Sequence, residues 1–413
     1  MSIIRDGNLA FRGQQKIDWV YDSMKVLKEL EKSYEKTQPF RGKTIAMSIH
    51  MEAKTARLAL LLKKLGAKVY ATGCNTLSTQ DDVAAALAKN GVEVFAIHGA
   101  SSQEYREHLK KVLEPHPELF IDDGGDLFST YCDLRGDEKW PMLGGCEETT
   151  TGITRLKQYE KHGSLPFPMI NVNDADCKHL YDNVYGTGQS TIDAIMHTTN
   201  NVIASKTVVI AGYGYCGRGI AKRMRGMGAR IIITEINPVR AIEAKLEGFE
   251  VMTMLEAASI GDFFITATGC KDVITNDHFL LMKNNAILCN SGHFDVEINL
   301  KDLAKLSSDI YPRRENITGY KIVSSGRTIN VLAEGKLVNL AAGNGHPAEI
   351  MDTSFAIQTL GLMYLIANAG KLEPKLHAVP TAIDERVARL KLGAMGVTID
   401  HPTPSQREYL GLD

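Results

Sequence analysis

Val208-Val209-Ile210-Ala211-Gly212-Tyr213-Gly214-Tyr215-Cys216-Gly217 joins four apolar residues to a G-x-G-x-x-G turn. Helix-compatible Arg218–Gly226 and a second apolar run, Ile231-Ile232-Ile233-Thr234, follow it. This strand–turn–helix–strand context gives the glycines a physical meaning. Gly212 permits a tight turn, Gly214 lets a pyrophosphate approach the backbone at a helix N-terminus, and Gly217 lets helix and strand pack closely. Glu235 lies 21 residues beyond Gly214, where a carboxylate accepts ribose hydroxyls and repels a 2′-phosphate. The expected ligand is therefore NAD rather than NADP, although Arg240, five residues past the acid, could reach a phosphate.

Outward from this turn the chain alternates strands and helices. Upstream, strands are expected at 44–49, 68–71, 93–97, 119–122 and 169–172, with helices at 54–65, 81–89 and 103–113 between them. Repeated βα units imply a parallel sheet covered by helices. Ligands of such sheets sit beyond the carboxyl ends of the strands. Those ends read Ser48-Ile49-His50, Thr72-Gly73-Cys74-Asn75 and Asp122-Asp123-Gly124-Gly125-Asp126, all polar. Residues 17–36 carry Trp19, Val20, Met24, Leu27 and Leu30 at helical spacing, and 349–369 is helical with one apolar face. That last face fits either a return to the first domain or a subunit contact.

The 413 residues allow two or three domains at roughly 100 to 200 residues each. Lysine and arginine number 47 against 49 acidic residues, a balance that excludes an electrostatic nucleic-acid binder. Seven scattered cysteines without a C-x-x-C pair indicate neither a disulfide framework nor a zinc knuckle. With Met1–Val20 carrying charges throughout and no run long enough to span a membrane, no export or membrane partner is expected, and the cysteine pattern points to a cytoplasmic protein with no metal.

Further stretches give the chain its chemistry: Asp122-Asp123-Gly124-Gly125-Asp126-Leu127, Glu147-Glu148-Thr149-Thr150-Thr151-Gly152, Asn171-Val172-Asn173-Asp174, Gly292-His293-Phe294-Asp295-Val296-Glu297, Ala333-Glu334-Gly335-Lys336-Leu337-Val338-Asn339-Leu340 and Gly345-His346-Pro347. With the glycine turn, these resemble the S-adenosylhomocysteine hydrolases over nearly the whole chain. The resemblance implies an α/β fold of two doubly wound parallel-sheet domains, substrate-binding and Rossmann NAD-binding, joined by a hinge, plus a short C-terminal segment. The expected division is 1–186 for substrate, 187–345 for NAD, 346–375 returning to the first domain, and 376–413 for oligomerisation. It also implies one tightly bound NAD per subunit, a nucleoside thioether substrate and a homo-oligomer, expected as a tetramer.

The chemistry implied is a hydrolysis assisted by internal redox. Oxidation at C3′ acidifies the C4′ proton, whose loss expels the 5′ thiolate; water then adds and the hydride returns. Carried over by motif, Lys178 accepts the 3′-hydroxyl proton with a pKa lowered by burial or cationic neighbours, and Asp182 orients it. Glu148 and Asp123 hold the sugar, while His50 and Asp123 move protons at the sulfur and the water. His293 binds the homocysteine end, with His293-Phe294 as a gate, and His346 lies near the base. Glu52, Lys54 and Gln80 complete the substrate set. Thr149, Thr150, Thr151, Asn183, Gly212, Gly214, Gly217, Glu235, Gly292 and Asn339 contact NAD.

Three departures bear on this reading. Lys54 stands where better-known relatives have a glutamate that accepts from the adenine amino group. An ammonium only donates, which favours a 6-oxo purine and leaves S-inosylhomocysteine as an alternative substrate. Thr187 replaces a cysteine of many relatives. The chain also lacks, after Gly411-Leu412-Asp413, a tail that reaches NAD in longer relatives, so weaker or different cofactor retention is expected. An ordinary NAD-dependent dehydrogenase and a non-catalytic nucleotide sensor are the rival classes.

Overall fold

The computed structural model describes residues 2–136, 140 and 142–412; Met1 and Asp413, the ends of two stretches read above, lie outside them. The strands in chain order are β1 (Thr44–Ser48), β2 (Lys68–Thr72), β3 (Glu93–Phe95), β4 (Leu119–Asp122), β5 (Gly144–Glu147), β6 (Met169–Asn171), β7 (Thr207–Ala211), β8 (Arg230–Thr234), β9 (Glu250–Val251), β10 (Phe263–Thr266), β11 (Ala286–Asn290), β12 (Ser307–Arg314), β13 (Ile317–Ile322), β14 (Thr328–Leu332) and β15 (Leu376–Ala378). Among the described residues they form two sheets, ordered β15-β6-β5-β4-β1-β2-β3 and β12-β13-β14-β11-β10-β7-β8-β9.

The first sheet is parallel throughout. The second is parallel from β14 to β9 and is extended by β13 and β12 in antiparallel pairing. Apolar runs suit strands buried on both faces, and the pleat sorts them. Ile231 and Ile233 of β8 pack with Val208 and Ile210 in one core, while Ile232 and Val209 enter another on the opposite face.

Residues 17–36 do not form one helix. Two helices, Ala10–Ser23 and Lys25–Tyr34, meet at Met24, whose side chain is fully buried. The break is held by Asp352, whose carboxylate accepts from the backbone N–H of Val26 and Leu27, each at 2.9 Å. Such a long-range cap leaves no local trace.

Helix Ala348–Ala367 returns to the first domain. Its Phe355, Ile357, Leu360 and Leu365 join the core that also holds Leu27, Leu30, Leu58 and Leu61. By length and composition it could cross a bilayer, yet 67% of its most apolar window is buried in the protein, as in a core helix. The chain therefore passes between the sheets twice, near Thr187 and near His346. Residues 376–378, expected in a separate C-terminal segment, instead form the edge strand β15 beside β6. Helix Thr381–Ala394 follows and buries Val387 in the first core.

Candidate active site

Register lines up the carboxyl ends of the first sheet. Ser48 pairs with Asp122, Asp122 with Glu147, and Glu147 with Asn171. The next one or two residues of each strand then stand side by side in the order Asn173, Glu148, Asp123, His50, with Cys74 beyond β2. The strand order reverses between β4 and β1, so Asp123 and His50 flank the switch point at which α/β sheets bind ligands.

His50 Nδ1 meets Ser78 Oγ at 2.7 Å, and its Nε2 lies 3.5 Å from Asp123 Oδ2. Burial holds the imidazole down to about 4, although Asp123 opposes it. His293, from the loop after β11 in the second domain, brings Nδ1 to 3.7 Å from Asp123 Oδ1 and its ring to 6.0 Å from that of His50. The two histidines thus share one carboxylate across the cleft. Cys74 Sγ donates to Asp123 Oδ2 at 3.6 Å, and burial raises the thiol well above its ordinary pKa.

Lys178 Nζ lies 3.6 Å from Glu148 Oε1, 3.4 Å from Asp182 Oδ2 and 2.9 Å from Asn183 Oδ1. The stretch His179–Gly186 is π-helical, and the Lys178–Asp182 pair forms at its start. The expected lowering of the Lys178 pKa is corrected. Burial pulls it down, but Asp182 and Glu148 outweigh burial and hold the ammonium above its ordinary value. Burial also works against Asp182, yet Lys178, His346 and hydrogen bonds from His346 Nδ1 and Ser354 Oγ (3.0 Å) keep it far below the usual carboxylate range. Burial pushes Glu148 up to about 8 against the pull of Lys178.

Ser354 and Gln358 were missed by sequence reasoning. Gln358 Nε2 donates to Glu148 Oε2 at 2.6 Å. Polar residues four apart within a long, largely apolar helix are the signal that could have found both. Glu147 is not catalytic in placement: its Oε1 accepts from the backbone N–H of Gly124 (2.9 Å) and Thr149 (3.0 Å), tying together the turns that carry Asp123 and Glu148.

Lys54 Nζ is 2.6 Å from Glu52 Oε2 and donates to Asn344 O at 2.9 Å, which places it against the segment leading into His346. Glu52 also caps its helix through the backbone N–H of Lys54 and Thr55. Gln80 has its side-chain oxygen engaged by Lys16 Nζ at 2.8 Å. His346 Nε2 meets Thr187 Oγ1 at 3.3 Å, joining the two crossings between domains.

The second sheet fits a dinucleotide. Gly212 turns with φ +95°, and a Cβ on Gly217 would lie 1.9 Å from Gly212 O. A Cβ on Gly214 would meet only Arg240 Nη1, at 3.6 Å, so its backbone is open to a ligand. Glu235 accepts from the backbone N–H of Tyr213 at 2.7 Å, which fixes the carboxylate beside the glycine turn. Asn339 Nδ2 donates to Ser190 Oγ at 2.9 Å, while its buried Oδ1 has no partner among the described residues, an acceptor left for a ligand amide. Gly292 is required by Glu297, whose Oε1 would sit 2.0 Å from a Cβ there. Thr149 precedes helix Thr150–Lys161, and Thr150 and Thr151 open it; Asn183 lies beside Lys178. Asn183 thus stands just before the first crossing and Asn339 just before the second.

A family model described as S-adenosyl-L-homocysteine hydrolase matches residues 2–141, and one described as S-adenosyl-L-homocysteine hydrolase, NAD binding domain, matches 183–345. The second match makes NAD the cofactor. The S-inosyl-L-homocysteine hydrolases of Methanococcus maripaludis and Methanocaldococcus jannaschii are 51% and 52% identical to this chain, over 99% and 98% of it and 98% of each relative. The adenosylhomocysteinase of Thermococcus kodakarensis is 53% identical over 98% of this chain and 96% of that protein. With both domains matched and half of all positions shared end to end, the chain is an adenosylhomocysteinase-type enzyme and belongs to the S-adenosyl-L-homocysteine hydrolase family.

Proposed function

We propose that this protein cleaves the thioether of S-adenosyl-L-homocysteine reversibly to adenosine and L-homocysteine. The observation that carries the reading is the buried Lys178 ammonium between Asp182 and Glu148 Oε1, facing a row that ends in Asp123 and His50. NAD, when bound, supplies a hydride acceptor for the 3′-carbon and gives the hydride back. Gly212, Gly214, Gly217, Glu235, Gly292, Asn339, Asn183 and Thr149–Thr151 would hold it.

Lys178 Nζ exchanges the proton of the 3′-oxygen, with Asp182 fixing its position through His346 and Ser354. Glu148 Oε1, buried beside Lys178 and without a hydrogen bond among the described residues, takes a ribose hydroxyl. His50, kept neutral by burial, exchanges a proton at Nε2 with Asp123 and with the leaving sulfur or entering water. His293 closes over this group from the second domain and excludes bulk water.

S-inosyl-L-homocysteine is the second reading, favoured by Lys54. With Glu52 fixing one side, the ammonium donates toward the segment beside His346 and suits an oxo group at the purine six-position. Relatives of both names share about half of the chain's residues, so identity does not choose between them.

The test is thiol release by the NAD-loaded enzyme from each thioether, with kcat/KM compared. Homocysteine should appear without net nicotinamide reduction. Reduced nicotinamide growing in proportion to product would replace this reading with a dehydrogenase, and equal kcat/KM values would remove Lys54 as the discriminator. A cytoplasmic homotetramer is part of the proposal, supported by seven free cysteines and by exposed Trp19, Val239 and Leu246 on helix surfaces. Light scattering reads the assembly.

A further inference from the structure

We infer that Arg155 is a positioning residue that holds the His293–Phe294 loop of the second domain shut over the cleft. The inference rests on the hydrolase reading, and it concerns contacts that exist only when the two domains meet.

Arg155 lies on helix Thr150–Lys161 of the first domain. Its Nη1 donates to Asp126 Oδ1 at 2.6 Å and to Gly124 O at 3.0 Å. Asp126 is fixed in turn by Tyr105 Oη, which donates to Oδ2 at 3.0 Å. The guanidinium is thereby set in place, and its Cζ lies over the Phe294 ring, 4.8 Å from the ring centre. A cation held over an aromatic face is attracted by the ring quadrupole, and the planar guanidinium suits this better than an ammonium.

The same guanidinium steadies the turn that receives His293. Gly124 has φ +108°, and a Cβ there would stand 2.3 Å from His293 Nε2, so the missing side chain is the socket for the imidazole. The His293 and Phe294 rings pack edge to face at 4.7 Å. On the other domain the loop is stiffened by Asn290, whose Nδ2 donates to Phe294 O at 2.8 Å and to Gly292 O at 3.1 Å, and whose Oδ1 accepts from Gly292 N. A stiff loop opens as a unit, so a clamp on Phe294 is a clamp on His293. Since His293 covers Asp123 and His50, Arg155 governs how long a nucleoside stays beneath it.

The test measures the dissociation rate of adenosine and of inosine from the NAD-loaded enzyme by stopped flow, for wild type, Arg155→Gln, Phe294→Leu and the double variant, with thermal stability in parallel. The expected result is dissociation faster by roughly fivefold in each single variant. The double variant should be no faster than either, because one contact can be lost only once. Arg155→Lys, which keeps the Asp126 ion pair, should fall between. An unchanged rate in Arg155→Gln, or effects of the two substitutions that multiply, would overturn the inference. Phe294→Leu keeps it testable should Arg155→Gln fold poorly. Failure of the wild type to release thiol would overturn the hydrolase reading instead, independently of these rates.

Discussion

Gln358 donates to Glu148 Oε2 at 2.6 Å and leaves Glu148 Oε1 facing Lys178 at 3.6 Å. A residue on the returning helix thus decides which carboxylate oxygen points into the cleft. Glu148→Gln would have to keep its oxygen on Gln358 and turn its amide NH2 toward the ammonium, where two donors face each other. We expect kcat/KM for thioether cleavage to fall by about 100-fold, on the order of 3 kcal/mol, from loss of the Oε1 acceptor and the donor–donor clash that replaces it. Steady-state thiol release checks it; a loss under threefold would contradict the placement of Oε1.

Asp182 holds the Lys178 proton on, and as a base Lys178 acts only once that proton is gone. Activity limited by this step rises with pH. In Asp182→Asn the raising charge is absent, so the Lys178 pKa falls and the rising limb of kcat moves to lower pH. The plateau drops as well, because His346 and Ser354 lose the anion they address. A pH–rate profile whose limb stays in place would show that Lys178 is not the titrating group.

His50 is held neutral on folding, from its ordinary 6.5 down to about 4. A lowered folded pKa means that the unfolded chain binds the proton first on acidification. Its contribution is present above pH 6.5 and is lost as pH falls toward 4, up to about 3 kcal/mol for a fully buried group. His50→Asn should therefore lose less thermal stability than wild type between pH 7 and 4. Parallel melting curves for the two proteins would count against a buried neutral imidazole.

A Cβ at position 217 would press on Gly212 O at 1.9 Å. Gly217→Ala must shift the helix from the strand, destabilising by about 1–3 kcal/mol as overpacking does. The turn it disturbs is the dinucleotide seat, so NAD should be lost on dialysis and its Kd raised. Calorimetric titration of the stripped enzyme with NAD provides the measurement, and an unchanged Kd would remove Gly217 from the seat.

Much of the fold was legible because its signals are local. The β7 turn, with Gly212, Gly214, Gly217 and Glu235, carries its own periodicity, and polar strand ends pointed to His50 and Asp123 before any geometry. What escaped depends on distant partners. Strands β12 and β13 were not visible, since β12 is largely exposed and polar and owes its form to pairing with β13. The edge strand β15 is three residues long and exists through β6. The kink at Met24 depends on Asp352 more than 300 residues away, and Gln358 reaches Glu148 across a separation of 210 residues. The protonation of Lys178 was misjudged for the same reason: burial can be read from a motif, whereas the sum of surrounding carboxylates cannot.

The two passages of the chain between sheets, at Thr187 and His346, touch through Thr187 Oγ1 and His346 Nε2 at 3.3 Å. A body tethered at two adjoining points swings about the line through them and resists twisting or sliding. Nor could one proteolytic nick near Gly186 set the nucleotide half adrift, because the fragment would remain moored by Ala348–Ala367, threaded through the opposite core.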